Sequence, residues 1–425
     1  MSARPDIEAL PVDSWTVPAA TGARWVPAQL ESLRYRNFRL LLGGLFMALS
    51  GWWMIIVAQG WLVLEMTDSA AMVALAGAML SLPFLVLGPF SGVIADRVYR
   101  KHLLVGTRTT VSALMFFEGA LILSGRAEIW HLLVLAFLAG CAFAMDIPAR
   151  QSLIPDTVPP SVVANAVAVN VALFSLTTIA GPIAGAATLV AFGAGGCFLA
   201  NGIGNAALAA SIAGMRIPRR IRSGTLSVTG DFLGGVRYVR SQPVVQLLLA
   251  VALVITLTGR NWQQLAPVFV RDVYGRGEGG LGAIYTAAGV GAAMGAIALV
   301  PLSGVRRRGP LFAAGLAIAL GATLAFALSP SLWPAVISVL VLGLGLQVIE
   351  TLTQTVLLVE TPEHVRGRVM SLSSLLWGLQ PLGVLAAGGV ADVAGPQIAI
   401  AGGAVFAALL LTSLYARTRA AWRVF

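Results

Sequence analysis

The sequence predicts an all-α polytopic membrane protein, with twelve spanning helices in two six-helix bundles related by a pseudo-twofold axis. Three observations carry the prediction. Of 425 residues, 58% are hydrophobic and only 11% charged, where soluble domains average roughly 25% charged. The apolar residues gather in twelve runs, most of them near the ~20 residues that a spanning helix needs. Features of the first six runs recur in the last six. Lipid admits only helices and closed barrels as spanning structures, and barrel strands would alternate over ~10-residue segments. These runs are continuously apolar and therefore helical.

In order along the chain, residues 1–37 come first, punctuated by Pro5, Pro11, Pro18 and Pro27. They read as a disordered or loosely docked cytoplasmic tail without a cleavable signal. The first bundle, 38–215, holds runs 38–64, 71–95, 102–123, 129–145, 162–192 and 195–215, the last two separated only by Gly193 and Ala194. A linker, 216–243, follows. Its second half, from Asp231 to Arg240, has apolar residues at helical spacing and reads either as an amphipathic helix on the inner membrane surface or as a solvated connection. The second bundle, 244–416, holds runs 244–270, 280–302, 309–328, 332–358, 369–390 and 398–416, before a short tail at 417–425.

The net charge is +10, and Lys101 is the one lysine among 28 basic residues. A basic chain can bind nucleic acid, but these cations are parcelled between apolar runs, which argues for membrane topology and against a nucleic-acid partner. With the amino terminus inside, 23 of the 28 fall on the inner side. Arg126, Arg271 and Arg276 fall outside, and Arg108 and Arg260 within spans. That bias places both termini on the cytoplasmic side of the inner (plasma) membrane. Cys141 and Cys197 lie inside runs and read as packing residues, while His102, His131 and His364 have no ligand spacing. No metal, cofactor or catalytic residue is expected, so a membrane-embedded enzyme is the weakest functional class.

Ionisable residues within spans are costly and mark function by default. Arg108 and Glu118 lie on the third run, Arg260 on the seventh and Glu350 on the tenth. Glu65, near the outer surface, reads as interfacial. Arg108 and Glu118 are separated by about 15 Å of rise and about 80° of rotation, so each needs a partner elsewhere, or Arg108 snorkels to the inner face. On the tenth run Gln347, Glu350, Thr351 and Gln354 share one face, which lines a pathway or joins helices. Arg260, Gln263 and Gln264 repeat the pattern on the seventh run, and Trp52 and Gln59 share a face on the first. With Gln380 these are the candidate substrate-binding residues. Glu118, Glu350 and Arg108 are the candidates for proton coupling, since a carboxyl in a low-dielectric pocket resists ionisation and can exchange a proton as its surroundings change. Gly181, Pro182 and Gly185 on the fifth run, and Gly291 and Gly295 on the eighth, suit close helix packing or a hinge. Asn201 and Asn205 share a face on the sixth and can bond across helices.

One short polar stretch stands out between the second and third runs: Gly92-Val-Ile-Ala-Asp96-Arg97-Val-Tyr-Arg100-Lys101. The halves repeat weakly around it. Arg100-Lys101 matches Arg307-Arg308, and Leu153-Ile-Pro-Asp156-Thr157 matches Leu357-Leu-Val-Glu360-Thr361, both at an offset of about 205 residues, as in duplicated transporters. Gly304-Val305 stand where the second copy would need the equivalent of Asp96.

The stretch resembles the signature loop of the major facilitator superfamily, with Tyr99 where that family usually has glycine. Asp146-Ile-Pro-Ala-Arg150-Gln151, Ala164-Asn165-Ala166, Arg366-Gly367-Arg368 and Arg36-Asn37-Phe38-Arg39 are similar to the branch containing the enterobactin exporter and the macrolide-efflux type drug:proton antiporters. The resemblance implies a cytoplasmic gate of Gly92, Asp96, Arg97, Arg100, Lys101 and Asp146. In it Asp96 caps the start of the eleventh helix near Gly367, and Arg100 pairs with Asp146. Many relatives carry an acid in mid-helix one, where this chain has Gln59. The expected protein is a monomeric exporter of amphipathic small molecules (a drug, siderophore or secreted metabolite), working by alternating access and coupled to protons. A proton-uncoupled facilitator, a lipid flippase, or a receptor or scaffold on a transporter fold are the alternatives.

Overall fold

Helices form where the apolar runs lie, and turns fall where glycine, proline or charge interrupts them. The computed structural model describes residues 28–215, 237–302, 309–362, 365, 369–370, 372–373, 375–376 and 378–417; within these, the side chains of 89, 90, 92–97, 148, 152, 360 and 415–417 are not described. The helices are α1 (Arg36–Thr67), α2 (Ala70–Arg97), α3 (Arg100–Leu123), α4 (Ile129–Leu153), α5 (Val163–Ala213), α6 (Pro243–Val254), α7 (Asn261–Val268), α8 (Gly279–Leu299), α9 (Gly309–Ala327), α10 (Leu332–Glu360), α11 (Gln380–Ala394) and α12 (Pro396–Arg417). α5 covers two of the expected runs and folds back at Gly193, whose φ of 68° suits glycine. α6 and α7 form one span with π-helical turns at Ile255–Gly259 and Phe269–Val273.

Among the described residues nine helical stretches are long and apolar enough to cross a membrane. The two arms of α5 count there as one. α3, which carries Arg100, Lys101, Arg108 and Glu118, and α11, with 15 described residues, are not among the nine. Large apolar side chains stand exposed around the assembly, among them Phe192 at 71%, Ile297 at 69% and Trp333 at 68%. In water such a surface would be a liability; in lipid it is the ordinary exterior.

Small residues set the packing. α1 runs along both arms of α5: a Cβ on Gly44, Gly51 or Gly185 would lie 2.8–2.9 Å from the Cα of Leu208, Asn201 or Met54. Gly181 admits Trp53, and Gly291 and Gly295 bring α8 onto the backbone of α10 at Leu340 and Leu344. The first half of the chain (α1 to α5) meets the second (α6 to α12) chiefly through α2 against α11 and α5 against α8. The α1–α2 turn marks one end of the assembly, called here the Asp68 end. Arg100, Asp146 and Asp156 mark the other, the Asp146 end.

Candidate functional site

Among the described residues, three groups of side chains deep within the helices contain charge. The first joins α3, α4 and the second arm of α5. Arg108 is two turns into α3, and its guanidinium reaches sideways to α4. Nε donates to Asp146 Oδ1 at 2.8 Å, Nη2 donates to Asp146 Oδ2, and Nη1 donates to Asn205 Oδ1 at 2.9 Å. Arg150, one turn along α4, adds a contact of 3.4 Å to Asp146. The Arg108 and Asp146 side chains are 5% and 1% exposed. Arg108 therefore does not snorkel: bidentate pairing and an asparagine satisfy it inside the bundle.

The expected Arg100–Asp146 pair is not formed. Asp146 is already taken by Arg108 and Arg150, and Arg100, at the first residue of α3, instead donates to Asp156 at 3.2 Å. Lys101 donates to the carbonyl of Met215 at 2.7 Å, a cation at the C-terminal end of α5. Tyr99 is the N-cap of α3 and sets its ring edge-on to His102, with centroids 4.9 Å apart. The side chains of Gly92, Asp96 and Arg97, and the chain around Gly367, lie outside the described residues, as do Asp231 to Val236 of the linker.

The second cluster surrounds Glu118, ten residues further along α3. Glu118 is 2% exposed, and neither carboxyl oxygen has a hydrogen-bond partner among the described residues. It lines a small cavity with Trp52 and Gln59 of α1, Phe143 of α4, and Phe198 and Asn201 of α5. Its volume, about 10 Å³ for water-sized centres, has room for about one water molecule. Gln59 Nε2 is likewise buried and unpartnered. A hydrogen-bonded chain runs from Arg108 to the cavity that Glu118 lines: Arg108 bonds Asn205, Asn205 Nδ2 donates to Asn201 Oδ1 at 2.9 Å, and Asn201 forms part of the cavity wall. Phe143 bridges the same gap, its ring 5.4 Å below the Arg108 guanidinium and edge-on to Trp52 at 4.8 Å.

The third cluster lies in the second half. Arg260 follows the π-helical turn Ile255–Gly259, where the backbone departs from α-helical register, a feature common at functional positions. It donates to Glu350 of α10 at 2.8 Å, and the two side chains are 24% and 37% exposed. Along the α10 stripe Gln347 donates to Thr351 at 3.0 Å, and Gln354 is exposed. One turn after Arg260, the Gln264 side chain lies against Gly77 of α2, so this face of α7 looks across to the first half. The carbonyl of Gln263 accepts from Tyr285, and Gln380 opens α11. Asn261 was not singled out by sequence. It donates to the carbonyls of Leu257, inside the π-helical turn, and Gly383 of α11, at 2.8 and 3.1 Å, and so fixes where Arg260 stands. Near the other end of α1, Trp61 donates to Glu65 at 2.7 Å, which accounts for that acid.

A family model described as transmembrane secretion effector matches residues 28–423. The chain is 27% identical over 358 residues to the multidrug efflux pump Tap of Mycolicibacterium fortuitum, covering 80% of this chain and 85% of that one. It is 22% identical over 213 residues to macrolide efflux protein A of Streptococcus pyogenes, covering 49% and 53%. Among solved structures it resembles a bacterial homologue of the human lysosomal transporter Spinster in an inward-facing conformation, with TM-score 0.67, 18% identity, and 92% and 97% of the chains covered. The nucleoside transporter NupG superposes with TM-score 0.71 at 12% identity over 89% and 98%. These two likenesses carry the fold.

Proposed function

The chain belongs to the transmembrane secretion effector family of the major facilitator superfamily, and from that premise we propose that it is a proton-coupled exporter of amphipathic small molecules. In this reading it sits as a monomer in the plasma membrane with both termini in the cytoplasm. The bundles 38–215 and 244–416 rock about a midplane site to expose it to each side in turn. The multidrug and macrolide efflux names of its relatives favour bulky cargo. The partly exposed Arg260–Glu350 pair, with Gln264, Gln347 and Gln354 nearby, offers such cargo polar contacts without net charge.

One observation carries the coupling: Glu118 is buried between aromatic walls with both oxygens unpartnered. An isolated carboxylate there would cost several kcal/mol, whereas the protonated acid is neutral. The proton is thus taken up while the cavity is closed. It is released when the rocking of the two bundles opens the cavity to water, and the Arg108–Asn205–Asn201 chain offers a polar route toward the Asp146 end. Glu350, by contrast, is held by a cation and serves the cargo.

The test is made in energised everted vesicles with a pH-sensitive dye and a macrolide as probe, chosen after a thermal-shift screen of the purified protein. Adding the probe is expected to dissipate the gradient with the parent chain and not with Glu118→Gln at equal expression. A Glu118→Gln variant that dissipates it like the parent removes Glu118 from the coupling step.

A further inference from the structure

Alternating access needs a device that holds the halves together at each end in turn, and the resemblance assigns residues only to the Asp146 end. At the opposite end the structure places four contacts between the halves. Asp392, near the end of α11, accepts from the Ser69 hydroxyl at 2.8 Å and from the backbone N–H of Ala71 at 3.1 Å. Ser69 in turn accepts from the N–H of Met72 at 3.1 Å. A carboxylate from the second half therefore sits on the N-terminus of α2, where exposed backbone N–H groups favour negative charge. Arg271 donates to the carbonyl of Leu64 at 3.0 Å and to Asp68, so a cation from the second half sits on the C-terminal end of α1.

Backbone contact accompanies the charges. A Cβ on Gly388 would overlap that of Ala74 and stand 3.1 Å from the carbonyl oxygen of Ala70, so only glycine lets α11 approach α2 this closely. Gly388 and Asp392 are four residues apart, in Gly388-Gly-Val-Ala-Asp392. Gly92-Val-Ile-Ala-Asp96 has the same spacing at the corresponding end of α2. α2 and α11 pack antiparallel, with Gly388 against Ala74 and Gly378 against Leu85, so the C-terminal end of α11 lies beside the N-terminus of α2.

We propose that Gly388 and Asp392, with Arg271, form a second latch that closes the Asp68 end, an inverted counterpart of the Gly92–Asp96 stretch. Glycine provides the close approach, and the aspartate one turn later caps the facing helix. Opening this end means stripping Asp392 from α2 and Arg271 from α1, and the exposed setting of Asp392 lets water replace both sets of bonds. The proposal requires a transporter that alternates, and it stands whether or not Glu118 carries a proton.

The test measures how often this end opens, without knowledge of the cargo. In the full-length chain carrying Cys141→Ala, Cys197→Ala and Gln264→Cys, a membrane-impermeant maleimide is applied to oriented proteoliposomes from the face bearing the α3–α4 turn, identified by labelling of Arg126→Cys. Gln264 lies against Gly77 across the interface, so its labelling rate follows the open population. Asp392→Asn and Arg271→Gln are each expected to raise the rate about fivefold, the usual effect of losing a helix cap, and Asp392→Glu to return it toward the parent. Rates within twofold of the parent for both variants, in protein that remains monodisperse, overturn the latch. If Asp392→Asn does not fold, Arg271→Gln decides alone, since it leaves α11 untouched.

Discussion

Each half of the molecule sets an arginine against a carboxylate within its helices, and the two pairs are built differently. In the first half Arg108 and Asp146 are almost fully enclosed, doubly bonded to each other, and backed by Asn205 and Arg150. In the second half Arg260 and Glu350 share a bond of 2.8 Å, and their side chains are 24% and 37% exposed. A desolvated, saturated pair is expensive to break and so fixes three helices as one body. A part-solvated pair gains little from being made and loses little when parted. In the proposed mechanism the contrast divides the labour: the first half would be the rigid reference that carries Glu118, and the second would carry the bond that cargo opens.

The largest expected effect tests the rigid side. Asp146→Ala strands Arg108 inside the bundle, at a cost of about 3–5 kcal/mol. It should appear as a large fall in thermal unfolding temperature of the purified protein, or as failure to accumulate. The double change Arg108→Leu with Asp146→Leu should recover most of the loss, since apolar residues of similar volume often replace a buried pair at little cost. If Asp146→Ala is no worse than Glu350→Ala, the two pairs do not differ as described.

An intermediate effect is expected at Glu118, with the opposite sign. Its oxygens have no partners among the described residues, so Glu118→Leu removes a desolvated polar group and fills the same space among Trp52, Phe143 and Phe198. Stability should rise by about 1–3 kcal/mol, read as a higher unfolding temperature, in a variant that no longer couples to the proton gradient. A destabilised Glu118→Leu would mean that the acid has a structural partner after all.

How much of this was legible beforehand follows from what the side chains need. Helices and their order were readable because lipid forces each span to be long and apolar, and even the turn at Gly193 stood in the sequence as a bare glycine between two runs. Glu118 and Glu350 were readable as anomalies, but which acid would find a partner was not. Pairing depends on reach between helices that contact far along the chain, as Arg108 does with Asp146 and Arg260 with Glu350. The same limit explains the Arg100 pairing: the loop after α4 brings Asp156 level with the start of α3, while Asp146 sits deeper, beside Arg108. Asp392 carried a signal that went unread. Its spacing from Gly388 copies that of Asp96 from Gly92, but it stands outside the offset of about 205 residues that relates the halves.

The smallest expected effect sharpens the contrast most. In a double-mutant cycle of Arg260→Gln and Glu350→Gln, the coupling energy from thermal unfolding should be about 1 kcal/mol or less, the range of solvent-screened pairs. The corresponding Arg108→Gln and Asp146→Asn cycle should give several times that value. The two cycles use the same chemistry, so differences in helix propensity and desolvation of the amides largely cancel, and what remains is burial. If the Arg260–Glu350 coupling instead equals that of Arg108–Asp146, the pair is a fixed brace between α7 and α10. Cargo recognition would then pass to Gln264, Gln347 and Gln354. Should it be small, and should a probe macrolide abolish what remains of it, the pair is the bond that cargo competes for.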